Sequence, residues 1–276
     1  MKLPSLTKLS SMLGLIAALA LPAIANAGAI FLTGHDPDFH AQPGAGLGKN
    51  LLAAGLSFVT GGTYNDHNAA TKKFLWVEST ISVPGGHLRG ENSLDDVGVN
   101  STDYDRVDGA GFASVNLANY SAIALASTFG GTLARAELQA LFDRKADIET
   151  FINGGGGLFA SAQCYPCGAN LAGGTDLLYA FLPITVTSVG ASPRFTLTAY
   201  GSSLGLVDGD MQDPTHNSFG ATGGLNVVDF DTASNATTLA GIVTINNGTF
   251  NPAPAPGTAA LAGLALAVLA RSRRRR

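Results

Sequence analysis

Two imidazoles and two carboxylates fall within six residues of the stretch Thr33-Gly34-His35-Asp36-Pro37-Asp38-Phe39-His40. His35, Asp36, Asp38 and His40 are all side chains that ligate divalent metals, zinc above all, and His216 joins them if the fold returns it to the same place. Asp210 and Asp213, close to His216 in the chain, extend the supply of oxygen donors. A metal held there would activate water with Asp36 or Asp38 as base, the chemistry of a metal-assisted hydrolase. The same residues also read as plain turn chemistry, with Asp36-Pro37-Asp38 forming a turn and an Asp cap on a following helix.

A second acidic stretch contains Asp95, Asp96, Asp103, Asp105 and Asp108, oxygen donors of the kind calcium takes. The step from Asp105 to Asp108 is one residue too long for the alternating donors of an EF-hand, and no Glu closes the run. A cation site of another design and a solvated turn both remain open here, as they do at Asp208-Gly209-Asp210.

These residues need elements to hold them. Ala29 to Gly34 is a compact apolar run ending in glycine, as a buried parallel strand would be, so His35 to His40 would leave its carboxyl end. In open α/β sheets that edge is where ligands bind. Phe74 to Glu78 and Tyr120 to Ser127 predict further strands. After the Gly130-Gly131-Thr132 loop and cap, Leu138, Leu141, Phe142, Ile148 and Ile152 recur at helical steps up to the Asn153-Gly154 stop, and Gly157 to Ala162 predicts a strand. Residues 120–162 thus form a βαβ unit with a right-handed crossover. The expected fold class is α/β: a doubly wound, mainly parallel sheet of flavodoxin-like type with extra β strands toward the C-terminus. Those extra strands are predicted over 184–189, 195–200 and 239–245. Residues 85–119, rich in Gly, Asp, Asn and Ser, read as a long excursion.

Both ends read as addresses. Lys2 and Lys8 precede an apolar run from Met12 to Leu21, a break at Pro22 and the small-residue site Ala25-Asn26-Ala27, the layout of a signal peptide over 1–27. A domain over 28–251 follows. At the far end a Pro-rich linker leads to the apolar or small residues Thr258 to Ala270 and then to Arg271, Arg273, Arg274, Arg275 and Arg276. That basic cluster would stay cytoplasmic while the apolar helix enters the inner membrane. Between these ends stand 9 Lys and Arg against 20 Asp and Glu, a net charge of −11 that repels phosphate-rich partners and argues against nucleic acid. Cys164 and Cys167 are the only cysteines. In an exported chain they are expected to pair with each other in a local disulfide. Redox use of this CxxC would want the first cysteine at a helix N-terminus, and Pro166 with Gly168 makes a loop instead.

Residues 252–276, with Pro254-Ala255-Pro256-Gly257-Thr258, the apolar stretch and the arginines, resemble the PEP-CTERM sorting signal of Gram-negative bacteria, though the family's central Glu is Ala255 here. The resemblance implies signal peptidase and exosortase as partners, transient anchoring in the inner membrane by the C-terminal helix, and delivery to the cell surface or beyond. Tyr120 to Gly157, Asp103 to Phe112, Phe181-Leu182-Pro183, Gly201 to Phe219 and Gly224 to Val228 resemble exported proteins with a class I glutamine amidotransferase-like, flavodoxin-like domain. A working amidotransferase would use Cys164 as nucleophile and His216 as its base. Here Cys164 lacks the flanking glycines of GxCxG, and no histidine is followed two positions later by Glu. Zinc sugar deacetylases place His-Pro-Asp-Asp after their first strand, where this chain has Gly34-His35-Asp36-Pro37-Asp38. The reading that results is a non-catalytic surface or matrix protein binding a cation, zinc or calcium, or extracellular polysaccharide at the sheet's carboxyl edge. The alternatives are a metal-dependent hydrolase of exopolysaccharide and a degenerate Cys-dependent enzyme.

Overall fold

The computed structural model of the chain describes residues 27–41, 48–68, 70–79, 89–128, 133–163, 177–212, 215–246 and 248–252. Residues 1–26 of the signal segment, 253–276 of the sorting segment and both cysteines lie outside the described residues.

Five strands run parallel: β1 (Gly28–Thr33), β2 (Phe74–Val77), β3 (Tyr104–Val107), β4 (Ala122–Leu125) and β5 (Gly157–Ala160), in the order β3-β2-β4-β5-β1. β2, β4 and β5 are buried along their whole length, which is why they read as continuous apolar runs. β1 also pairs antiparallel with the long strand β10 (Ala236–Asn246), which opens a second half of the same sheet. That half adds β6 (Val186–Val189), β7 (Thr196–Leu197), β8 (Ser218–Thr222), β9 (Asn226–Phe230) and β11 (Thr249–Pro252), all in antiparallel pairs. The sheet is therefore a mixed α/β one, with its added β strands toward the C-terminus as expected. Its parallel order is not the 2-1-3-4-5 of flavodoxin-like sheets. β1 sits between β5 and β10 rather than beside β2, so its carboxyl end faces both halves.

The helices are α1 (Pro37–His40), α2 (Lys49–Thr60), α3 (Gly109–Ser114), α4 (Arg135–Asp143), α5 (Lys145–Asn153) and α6 (Ala199–Ser203). α2 and α5 cover opposite faces. Gly55 of α2 lies so close to the rings of Phe31 and Phe159 that a Cβ would sit 2.4 Å from Phe159, whereas Gly28 of β1 faces Ile152 of α5. Phe31 and Phe159 stack with ring centroids 5.9 Å apart, locking β1 to β5. Among the described residues, no helix is long and apolar enough to cross a membrane.

Three local expectations are corrected. The single helix across 138–152 is broken at Arg144, whose φ of −105° and ψ of 21° end α4 and start α5. Its guanidinium donates to the carbonyls of Phe112 and Val115, and Phe142, expected on the buried stripe, is 42% exposed. The strand expected over 195–200 shrinks to two residues because the Thr198 hydroxyl accepts from the Gly201 amide and starts α6. The long excursion contains the edge strand β3 and helix α3, the latter capped by Asp108.

Candidate functional site

The chain leaves β1 at Gly34, where the backbone of residues 215–217 returns and crosses it. A Cβ on Gly34 would lie 1.7 Å from the Asn217 carbonyl, so only glycine permits this approach. His216 N–H donates to the Gly34 carbonyl at 2.9 Å, and His35 and Thr215 form an isolated antiparallel bridge. The same edge gathers the ends of β5 and β4, since Ala162 N–H donates to the His35 carbonyl and Thr128 N–H to the Ala162 carbonyl, each at 2.9 Å. These contacts bring His216 beside the end of the first strand.

Asp36 is wholly buried and faces two imidazoles: its Oδ2 lies 3.0 Å from His216 Nε2 and its Oδ1 3.4 Å from His40 Nε2. The side chains of His216 and His40 are 16% and 17% exposed, so they, and not the carboxylate, meet the solvent. Asp36 holds the N-cap position of α1 and its carbonyl accepts from the amides of Phe39 and His40, but its side chain makes no cap bond. Asp38 Oδ2 accepts from the Ser127 amide at 2.8 Å and so ties α1 to the end of β4. Burial pushes the Asp38 pKa up to about 7 against the pull of that hydrogen bond, and the nearby charges of Asp36 and Glu78 add to the rise.

His35 does not join this cluster. Its ring is buried against Phe195, edge to face at 4.8 Å, and its Nε2 lies 3.1 Å from Asp229 Oδ2. Nor do the acidic residues of the second stretch. Asp103 accepts from the amides of His67 and Asn100, Asp105 binds Lys73 and Tyr120, Asp108 caps α3 and Asp96 pairs with Arg89. The carboxylate of Asp208 accepts from the Leu197 amide, and that of Asp210 from Asn50 and the Val207 amide. Each therefore holds a loop or an element rather than sharing a cation. Among the described residues no three His, Asp or Glu side chains are arranged to hold a metal ion. Cys164, Cys167 and Asp213 lie outside the described residues.

Sequence reasoning missed a second layer beneath the imidazoles. Gln163 N–H donates to Asn217 Oδ1 at 3.0 Å and to the Tyr179 hydroxyl at 3.1 Å, while the Gln163 side-chain carbonyl accepts from the Tyr179 amide. Tyr179 carries a φ of 53°, a conformation rare for a bulky residue, and burial pushes its phenol pKa upward. In this layer Asp38 Oδ1, Ser161 Oγ, Gln163 Nε2 and Asn217 Nδ2 are buried without a hydrogen-bond partner. Nothing in the local sequence marks Tyr179 or Asp229; Gln163 and Asn217 had only their neighbours Cys164 and His216 to point to them.

Two cavities flank the sheet. One of about 800 Å³ lies at the opposite, amino edge among Phe58, Tyr120, Phe151 and Ile242, where Lys72 and Arg144 are spent on backbone carbonyls. Asp147 in the same lining is paired with Arg144. A smaller one of about 420 Å³ adjoins the carboxyl edge beside Phe195 and Thr215. Comparison with protein-family models finds no matching family, and comparison with curated proteins finds no match.

Proposed function

We propose that this is an exported cell-surface or matrix protein that binds polysaccharide at the carboxyl edge of its parallel strands. One observation carries the reading. Asp38 Oδ1, Ser161 Oγ, Gln163 Nε2 and Asn217 Nδ2, at or near the ends of β1, β4 and β5, keep hydrogen-bonding capacity that the protein does not use. The partly exposed imidazoles of His40 and His216 are the groups that a hydroxyl-rich partner would meet first, with this wholly buried set behind them, where each polar atom without a partner costs about 1–3 kcal/mol. Sugar hydroxyls donate and accept at once and match such a mixed set. A polysaccharide is favoured over a cation because no three ligating side chains are arranged for a metal among the described residues. The export reading rests on the terminal segments, and a fusion reporter active only outside the cytoplasm tests it. Affinity electrophoresis through polysaccharide gels tests the ligand: the protein should be retarded, and a His40→Ala, His216→Ala variant less so. Equal mobility in gels with and without polysaccharide overturns the proposal.

A second reading is hydrolysis of the bound polysaccharide's ester substituents. It is favoured by the contact of His216 Nε2 with the buried Asp36 carboxylate, the pairing that orients an imidazole as general base. Turnover of 4-nitrophenyl acetate that falls by about a hundredfold in His216→Gln supports it, and none above buffer removes it.

A further inference from the structure

The 420 Å³ cavity beside the carboxyl edge is lined by Ala191, Pro193, Arg194, Phe195, Gln212 and Thr215. Its volume is within the range of about 300–1,000 Å³ typical of small-ligand sites. Two of its walls belong to the site already described, since Phe195 packs on the His35 ring and Thr215 bridges His35. Arg194 is the one charged residue in this lining. Its guanidinium makes no hydrogen bond or ion pair with any described residue, in a body whose net charge is −11 and whose other arginines, at 89, 106, 135 and 144, each have a partner. Its backbone is held at a φ of 76°, a left-handed conformation that an arginine adopts only at a cost. An unpaired fork of donors on a strained backbone, at the mouth of a cavity with an aromatic floor, is the arrangement of a recognition residue.

We propose that Arg194 recognises a carboxylate and that the polysaccharide bound at this edge is therefore an acidic one, its uronic carboxylate docked on the guanidinium. The inference rests on the polysaccharide reading above. The planar guanidinium offers two parallel N–H donors that match a planar carboxylate. At this one contact a single cation balances a single carboxylate, whereas a phosphate would bring nearly two charges to the same point. The Gln212 amide nitrogen donates to the carbonyls of Phe195 and Asp208 and the Thr215 hydroxyl to that of Asn217, which leaves their oxygens as acceptors for ring hydroxyls, and Phe195 with Pro193 supplies an apolar wall for a sugar face.

The test is titration calorimetry of the full chain in mild detergent with trigalacturonate, its methyl ester, maltotriose and glucose 6-phosphate. Trigalacturonate should bind at least about tenfold more tightly than its ester, the worth of a charge-assisted hydrogen-bond pair. Arg194→Gly should abolish that difference while melting at the same or a higher temperature, because glycine adopts this φ without strain; a structural role for Arg194 would instead lower the melting temperature. Arg194→Lys should keep only part of the preference. Equal binding of acid and ester, or an Arg194→Gly variant that still prefers the acid, overturns the assignment and leaves the polysaccharide reading standing. Tighter binding of glucose 6-phosphate than of trigalacturonate overturns the carboxylate as the ligand group. No binding of any of the three saccharides overturns both readings.

Discussion

Replacing Asp38 by asparagine should make the protein more stable, and only at pH values where a carboxylic acid would ionise. Asp38 is wholly buried and its pKa lies near 7 instead of the ordinary 3.8, chiefly because burial penalises the charged form. The folded protein therefore binds a proton at Asp38 more tightly than the unfolded chain does. Below 3.8 the group is protonated in both states and asparagine gains nothing. Between 3.8 and 7 the wild type loses stability relative to the variant by about 1.4 kcal/mol per pH unit, and above 7 the difference levels off at about 4 kcal/mol. Asparagine keeps the carbonyl that accepts from Ser127, so the pH-independent offset is small beside this slope. For a body of this size about 4 kcal/mol corresponds to roughly 8–16 °C in melting temperature at pH 8. Trp76, the only tryptophan, is buried and donates to Glu78, so its fluorescence reports unfolding across a pH series from 4.5 to 8. A difference between variant and wild type that stays constant over that series, or shrinks as the pH rises, would refute the reasoning.

Asp231 should behave in the opposite sense. Burial raises its pKa, but hydrogen bonds from Asn235, Ser218 and Ser192 outweigh that and hold the carboxyl below its usual value. Its stabilising effect is present above 3.8 and lost as the pH falls through the lowered folded value, so Asp231→Ala should cost about 3 kcal/mol at pH 7 and less near pH 3 by urea unfolding. Glu137 is buried and accepts from the amides of Gly109 and Ala134, joining the starts of α3 and α4. Glu137→Ala should lower stability by about 2–3 kcal/mol and speed amide exchange at both helix starts together. Gly55→Ala should destabilise by about 1–3 kcal/mol although alanine is the better helix former, because the new methyl overlaps the Phe159 ring; a gain in melting temperature would show that α2 can shift.

What the sequence determined is what apolar patterning and local turn chemistry can report. The buried runs Ile30 to Leu32, Leu75 to Val77, Ile123 to Leu125 and Leu158 to Ala160 read as interior strands, and the βαβ connection between β4 and β5 followed from their spacing. His35 to His40 was legible as a polar loop at the carboxyl end of a first strand, and the structure places it there. Which of those side chains act together was decided only by the tertiary structure. His35 and Asp36 are neighbours in the chain, yet their side chains go to different partners: Asp229 on β9 holds the first and His216 the second. Arg194 and Tyr179 carry no pattern at all, because a positive φ is set by the packing around a residue and leaves no trace in its type. The acidic residues from Asp96 to Asp108 left a cation site and a solvated turn open, and in the structure each fastens a different contact, since spacing along a chain counts donors but does not aim them. Periodicity is a local property that survives in one dimension, whereas a binding site is a set of directions, and directions exist only once the chain has folded.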